Sequence, residues 1–289
     1  MNKKILIKAL KYFIIVFLLI SIMKGFITPM PEGTSIMGNE RTDSNVEFLY
    51  DLTYLQENEK VHEQSIVNEW LNLINNAEDY IILDMFLFND EYNREYNFPN
   101  VSEELTNVLI NKKESNPDID ILFITDEINN FYGVYESQYL ENLKENNIDV
   151  VVTDNEKIRD SNPLYAGFWR TAIKWFGTEG EGWLPNPFSP DSEDVTLRGY
   201  LKLLNFKANH RKVIVTDKAG IVTSANPHDA SAYHSNIAFK VEGKILKDLM
   251  ESELAVAEFS GYENKDFFYK EKEEISPRYG YVSNPYYRG

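Results

Sequence analysis

The chain has 289 residues, of which 43% are hydrophobic and 13% aromatic, and this composition excludes an intrinsically disordered protein. Cysteine is absent, which excludes a disulfide framework, a thiolate nucleophile and a cysteine-based metal site. The formal net charge is −17, but the first 30 residues hold five lysines and no acid. The rest keeps 24 of the 29 basic residues and all 46 acidic ones, so it repels polyanions, and broad binding of nucleic acid is not expected.

Residues 1–30 have the form of a signal anchor. An apolar run over residues 12–23 follows four lysines, and it approaches the length of a spanning helix if Lys24 reaches the interface and the run continues to Ile27. No Ala-x-Ala site lies near Met30, which favours an uncleaved anchor over a cleaved signal peptide. Because the lysines precede the run, the positive-inside rule predicts a single-pass protein of the cell membrane with an extracellular body.

The body alternates between strand and helix patterns. Residues 31–45 are rich in Pro, Gly and polar side chains and are predicted to be a linker, and 46–260 are predicted to form one lobe. Apolar periodicity predicts helices over 66–74, 105–112, 139–145, 164–176, 195–204 and 244–259. It predicts strands over 79–89, 119–125, 148–153, 213–216, 221–224 and 235–241. The expected fold is α/β, with a mixed central β-sheet flanked by helices on both faces.

The segment 206–236 carries the residues that point to chemistry. His210 and Lys212 are two residues apart at a strand start, so their side chains project from the same face. A histidine beside a fixed ammonium can attack or protonate a group while the lysine holds negative oxygens. After a turn at 217–220, the paired strand brings Ser224 and Asn226 towards the same point, and such donors suit an anionic phosphodiester. No acid or histidine cluster has metal-ligand spacing, so neither a metal nor another cofactor is expected.

These residues form the pattern His210-x-Lys212-x4-Asp217, followed by Thr223-Ser224-Ala225-Asn226. The pattern resembles the HxKxxxxD…GSxN signature of the phospholipase D superfamily, in its bacterial, membrane-associated, cardiolipin synthase-like branch. The resemblance implies catalytic roles for His210, Lys212 and Asp217, with His210 forming a phosphohistidine or acting as its acid partner. It also implies that Lys212, Ser224 and Asn226 contact the substrate phosphate. Of the three motif residues, Asp217 is better suited to fixing the hairpin than to taking part in the chemistry.

The motif departs from the family pattern in two ways. Thr223 replaces the usual glycine and lies one residue closer to Asp217, and only one motif is present where family enzymes use two. The chain is therefore expected to be one half-site. It could form a homodimer or pair with a separate second lobe, or it could be an inactive truncated lobe that binds lipid. Residues 261–289, charged and aromatic, would then be the start of a truncated second lobe.

The expected substrate is a phospholipid phosphodiester, because the chain is tethered to a membrane and its body is acidic. A metal-independent nuclease is the alternative enzyme, and the net charge disfavours it. The loop 177–191 is expected to be exposed at Trp183, whereas core packing is expected for the neighbouring aromatics Phe168, Trp169, Trp175 and Phe176. His228 and His234 are expected to be loop or capping residues, and Asp154, Glu156 and Asp160 to be solvated or capping.

Overall fold

The computed structural model describes residues 3–35 and 45–263, so most of the predicted linker 31–45 and all but the first three residues of the predicted tail 261–289 lie outside the described residues. The helices are α1 Lys3–Ile27, α2 Ser65–Asn76, α3 Val101–Ser115, α4 Gln138–Glu145, α5 Pro163–Ala172, α6 Leu197–Leu203 and α7 Ile245–Phe259. The strands are β1 Val46–Asp51, β2 Thr53–Gln56, β3 Glu59–His62, β4 Tyr80–Met85, β5 Asp120–Thr125, β6 Asp149–Val152, β7 Lys212–Thr216, β8 Gly220–Thr223 and β9 Asn236–Val241.

Seven strands form one sheet in the order β1-β9-β8-β7-β4-β5-β6. The strands β4, β5 and β6 run parallel to one another, and β7, β8, β9 and β1 extend the sheet through antiparallel pairs. The sheet is therefore mixed and flanked by helices, which confirms the predicted fold class. The hairpin β7–β8 lies inside the sheet, where β7 pairs with β4 on its other side.

The two faces of the sheet bury separate apolar clusters. All six residues of β4 are buried, and because side chains alternate along a strand, Leu83 joins one cluster while Ile82 joins the other. Helices α2, α3 and α4 cover the Leu83 face, where Trp70 is fully buried. Helix α7 covers the Ile82 face through Met250 and its neighbours. The core thus holds β4, β7 and the start of the motif between two layers of helices.

Three short strands near the linker were not predicted from the sequence. Strand β1 forms the edge of the sheet and pairs with β9, which lies about 190 residues later in the chain. Strands β2 and β3 form a separate hairpin. Its turn residues Glu57 and Asn58 have φ values of 51° and 69°, as a two-residue type I′ turn requires.

The N-terminal helix α1 is long and apolar enough to cross a membrane, a property shared by membrane anchors and signal sequences. Its C-terminal part packs against α5. The approach is close, because a side chain at Gly167 would place its Cβ 2.8 Å from the Ile22 Cα. The Ser21 hydroxyl donates to the Gly167 carbonyl at 3.0 Å, and Arg170 donates to the Ser21 carbonyl at 2.7 Å.

Candidate active site

The motif residues His210 and Lys212 lie where the parallel strands end. Lys212 begins β7 and pairs with Met85, the last residue of β4. One residue further, the Phe86 amide donates to the Arg211 carbonyl at 3.0 Å. The carboxyl ends of parallel strands are the usual place for ligands in α/β sheets. The structure therefore presents both side chains at an edge of the sheet that suits a binding site.

Phe86 brings the His210 ring and the Lys212 ammonium together. The centroids of the Phe86 and His210 rings are 4.5 Å apart, and the Lys212 ammonium lies 4.8 Å from the Phe86 centroid. The ammonium also donates to the His210 carbonyl at 3.1 Å. Lys212 is only 6% exposed, whereas His210 is exposed, so the imidazole can be reached from solvent while the lysine forms the floor beside it.

The surroundings shift both titrations downwards. Partial burial, and then the charge of Lys212, lower the pKa of His210 below its ordinary value, which favours the neutral imidazole. Burial lowers the pKa of Lys212 to about 8, although the carboxylates of Asp84 and Asp126 oppose that shift. At neutral pH the pair is a neutral imidazole next to a charged ammonium. An attack on phosphorus needs both, because the attacking nitrogen must be unprotonated and the phosphoryl oxygens need a positive charge beside them.

Ser224 and Asn226 follow β8 on the neighbouring strand. The Asn226 side-chain oxygen accepts from the Leu87 amide at 3.3 Å, so the amide group lies next to the Phe86 segment that contacts His210. The Ser224 hydroxyl instead contacts β9: it donates to the Asn236 side-chain oxygen and accepts from the Ile237 amide, both at 3.0 Å. Asn226 is therefore held against the segment that contains Phe86, whereas Ser224 ties the end of β8 to β9.

The structure does not bring Asp217 to this site, which corrects the catalytic role predicted for it. Strand β7 begins at Lys212 and ends one residue before Asp217, so the two residues are five positions apart, a separation of about 16 Å in an extended strand. The Asp217 carboxylate accepts from the amides of Glu78 and Asp79 at 3.0 and 3.3 Å and pairs with Lys218 at 3.0 Å. Partial burial alone would raise its pKa, but these contacts outweigh burial and lower it. Asp217 thus fixes the start of β4 to the β7–β8 turn, at the opposite end of these strands from His210 and Lys212.

A buried polar network beneath the motif was missed by the sequence analysis. The Asn209 side-chain amide donates to both carboxylate oxygens of Asp84, at 2.7 and 3.0 Å, and to the Thr153 hydroxyl at 3.0 Å. The Asn209 backbone amide donates to Asp126 at 2.6 Å. Strands β4, β5 and β6 therefore all contribute to holding the residue that precedes His210.

Arg211 connects this network to helix α7. Its guanidinium pairs with Glu253 at 3.0 Å and donates to the Ser252 hydroxyl at 2.6 Å. Glu253 also lies beside Asp84, which is completely buried. Burial, and then the charge of Glu253, raise the pKa of Asp84; burial also raises the pKa of Glu253, although the charge of Arg211 opposes that shift. Residues 209 and 211 thus anchor the motif segment to the buried polar network, while residues 210 and 212 face the candidate site.

Two further residues considered in the sequence, His228 and Asp160, make contacts that stabilise the fold. One ring nitrogen of His228 contacts the Ser231 hydroxyl at 3.0 Å and the other contacts the Glu91 carbonyl at 3.1 Å, which is a loop-stabilising role. Asp160 is buried, not solvated, and pairs with Arg170 and Lys207, both at 2.7 Å. Among the described residues, no group of three His, Cys, Asp or Glu side chains could hold a metal ion.

The aromatic side chains of the segment 163–176 differ from their prediction. Trp169 is buried at 6% exposure, as predicted, but Phe168, Trp175 and Phe176 are 47%, 70% and 71% exposed. Trp183, in the loop 177–191, is exposed as predicted. The core accepts only one face of α5, so Phe168 lies on its outer side, while Trp175 and Phe176 follow the end of the helix in an exposed turn.

The pKa of Lys212 predicts how an anion should bind. Sulfate keeps its charge at neutral and alkaline pH, so its affinity should follow the lysine: strong below about 8 and progressively lost as the pH rises through that value. The His210 ring resonances, followed by NMR during sulfate titrations from pH 7 to 9, would report binding. In Lys212→Met the affinity should be weak and independent of pH. A wild-type affinity that stays constant over this range would contradict the assignment.

No protein-family model matches the chain, and no curated protein sequence matches it. Solved structures are similar to the chain, and Nuc, NucT and a phosphatidylserine synthase are three of them. Nuc from Salmonella typhimurium, a phospholipase D family member, is 14% identical with a TM-score of 0.41, covering 74% of this chain and 94% of Nuc. NucT from Helicobacter pylori is 12% identical with a TM-score of 0.39, covering 73% and 97%. Phosphatidylserine synthase from Haemophilus influenzae is 10% identical with a TM-score of 0.42, covering 71% and 35%. Of these three, Nuc is described as a phospholipase D family member, and the likeness concerns the fold alone.

Proposed function

We propose that this chain is one half of a phospholipase D-type phosphodiesterase or phosphatidyltransferase that acts on phospholipid phosphodiesters. The observation that carries the proposal is the pair of an exposed, neutral His210 and a buried Lys212 at the carboxyl edge of the parallel strands. An imidazole that is accessible and unprotonated can attack phosphorus, and a fixed ammonium at its side can neutralise the phosphoryl oxygens.

In the proposed reaction, the lone pair of the His210 ring attacks phosphorus and forms a P–N bond while the bond from phosphorus to the head-group oxygen breaks. The departing alkoxide takes a proton from an acid on the opposite side. Water or an alcohol then attacks the phosphohistidine, breaks the P–N bond and restores the imidazole, losing its own proton to that second group. Lys212 and the Asn226 amide bind the non-bridging oxygens in both steps. No metal is needed in this scheme, because the ammonium supplies the positive charge.

The substrate assignment rests on the placement and charge of the chain. An anchored protein meets phospholipid at high local concentration, whereas its acidic body repels DNA and RNA. Full-length protein with vesicles of phosphatidylglycerol, in EDTA, should release the head group at a rate above that of protein-free vesicles. DNA under the same conditions should remain intact. Cleavage of DNA without release of the lipid head group would favour the nuclease alternative, and activity that disappears in EDTA would contradict the mechanism.

We infer that the acid of the reaction comes from a second half-site. One imidazole cannot stand on both sides of phosphorus in one in-line step. Next to Ser224, the outer sheet surface of β1, β8 and β9 exposes a set of apolar side chains, which we call the apolar sheet patch: Phe48, Tyr50, Val222, Ile237 and Phe239. Exposed apolar surface of this kind marks an interaction site. A second copy of the chain is the proposed occupant, because a two-fold axis there would bring the same residue of both copies near one point.

Replacing Phe239 by aspartate is expected to weaken this dimer. The change buries a charge in the proposed contact, so the dimer dissociation constant in detergent solution should rise at least about tenfold, and head-group release should fall with the dimer fraction. Sedimentation of the full-length chain measures the first, and the vesicle assay the second. Leu55→Asp is the matched control, because Leu55 is 70% exposed on the β2–β3 hairpin outside the patch. A wild-type monomer that is active would refute the paired site.

A further inference from the structure

We propose that the outer face of α5 and the turn after it insert into the same membrane that α1 crosses, so that the lobe is embedded at the lipid surface and not suspended above it. The inference rests on the anchor in the proposed function but is independent of catalysis. The occupant to which it commits is the outer leaflet of a phospholipid bilayer. The name insertion face is used below for Leu164, Phe168, Trp175 and Phe176.

The length of α1 carries the first step. Residues 3–17 are exposed throughout, and contact with the lobe begins near Leu18. The lysines at the start of α1 precede the apolar run, so only residues 12–17 of the run lie clear of the lobe; at 1.5 Å per residue they span about 9 Å, whereas the hydrocarbon core of a bilayer is about 30 Å thick. An anchor that spans the core must therefore also use the rest of the run, residues 18–27, which lies beside α5. The bilayer has to reach the level of the α1–α5 contact.

The outward side of α1 at that level agrees with this depth. Leu19, Ile20, Met23 and Phe26 are 56%, 62%, 60% and 55% exposed, although they lie beside the lobe. Apolar side chains continue on the open side of the helix past the first contacts with α5. If the membrane ended before Leu18, these side chains would face water as a continuous apolar strip, which soluble surfaces avoid.

The contact between the two helices is built tightly enough to fix their relative depth. Gly167 lies directly against Ile22, so any side chain there would clash with the backbone of α1. Arg170 and Ser21 add two hydrogen bonds across the contact. Arg170 also pairs with the buried Asp160, which connects the contact to the interior of the lobe. The helix α5 thus cannot rise away from the bilayer while α1 stays in it.

The outer side of α5 has the composition of a membrane interface. Leu164 and Phe168 are one helical turn apart and share a face, and Trp175 and Phe176 lie in the short turn that follows the helix. All four side chains of the insertion face are exposed, at 66%, 47%, 70% and 71%. Residues 163–176 contain no acid, in a chain with 46 acidic residues, and their basic side chains Arg170 and Lys174 pair with Asp160 and Glu156 of the lobe. Exposed Trp and Phe are typical of segments that lie at the lipid head groups.

The absence of cysteine makes the test clean, because each introduced thiol is the only one in the chain. Phe168→Cys and Phe176→Cys would be labelled with an environment-sensitive fluorophore in the full-length protein, reconstituted in phosphatidylglycerol–phosphatidylcholine vesicles. Ile15→Cys reports the anchor, and Leu55→Cys, which is 70% exposed on the separate β2–β3 hairpin, reports a surface expected to stay in water. Each label is measured with a lipid-attached quencher and with a soluble one.

The labels at 168, 176 and 15 should lose most of their emission to the lipid quencher and little to the soluble one, with a blue-shifted spectrum. The label at 55 should show the reverse. A label at 15 in lipid with labels at 168 and 176 in water would overturn the inference while leaving the anchor and the proposed activity intact. A label at 15 in water would overturn it together with the anchor. Neither readout requires turnover, so a failure of the proposed reaction would be seen separately in the vesicle assay.

Discussion

His210→Ala is expected to reduce head-group release from phosphatidylglycerol vesicles by at least about a thousandfold, because the proposed reaction has no other nucleophile. The loss should appear in the maximal rate and not only in the apparent affinity, since Lys212 and Asn226 would still bind phosphate oxygens. The fold should be retained, because the His210 ring is exposed and packs mainly against Phe86. A thermal midpoint close to that of the wild type would establish this retention.

The matched control for His210→Ala is Asp217→Asn. Asp217 belongs to the same sequence motif but lies at the other end of β7, where it accepts from the amides of Glu78 and Asp79. Asp217→Asn should therefore keep most of the activity and lose only about 1 kcal/mol of stability. Rapid quenching of the wild type in alkali, followed by mass spectrometry, should detect a phosphatidyl group on the peptide that contains His210. Equal losses of rate in the two variants would mean that the motif acts only through folding.

The elements of the body were largely predictable because their patterns are local. Buried strands such as β4 and β5 appear as short apolar runs, and the hairpin β7–β8 is marked by its turn at 217–220. Strand β1 was not predicted, since a six-residue edge strand is defined by its partner β9 far along the chain. The exposed aromatics of α5 were assigned to the core, because periodicity gives the apolar face of a helix but not its width.

The candidate site was predictable in part. The two-residue spacing of His210 and Lys212 on a strand gave their common face directly. The same geometry explains the placement of Asp217: the residues between it and Lys212 form one extended strand, so proximity in the motif becomes separation in space. The acids below the motif were not predicted, since Asp84 lies 125 residues from Asn209 and only the folded sheet joins them. The one local signal for Asp84 was that it is a carboxylate inside an otherwise apolar run.

Asn209→Ala is expected to be the most damaging change outside the two catalytic side chains. The variant removes three hydrogen bonds and leaves both Asp84 oxygens without their donor in a completely buried position. Leaving such acceptors unsatisfied should cost about 2–4 kcal/mol of stability. Since Asn209 precedes His210, the imidazole should also be misplaced, and a shift of about 1 Å can reduce the maximal rate up to about a hundredfold.

Asn205→Ala separates loss of this network from loss of any buried asparagine. Asn205 is also buried, but its amide donates only to the Lys202 carbonyl three residues away, so the change should cost about 1 kcal/mol and leave the rate unchanged. Thermal unfolding and the vesicle assay on both variants give the comparison.

Asn209→Asp adds the pH dependence: a third carboxyl beside Asp84 and Asp126 would have its pKa raised in the folded state. The destabilisation caused by Asn209→Asp should therefore be small below pH 4 and grow as the pH rises towards neutrality.

If Asn209→Ala and Asn205→Ala lose the same stability and the same rate, the network does not position His210. A loss of rate confined to Asn209→Ala, measured below its unfolding temperature, would make Asn209 the residue through which three strands hold the nucleophile in place.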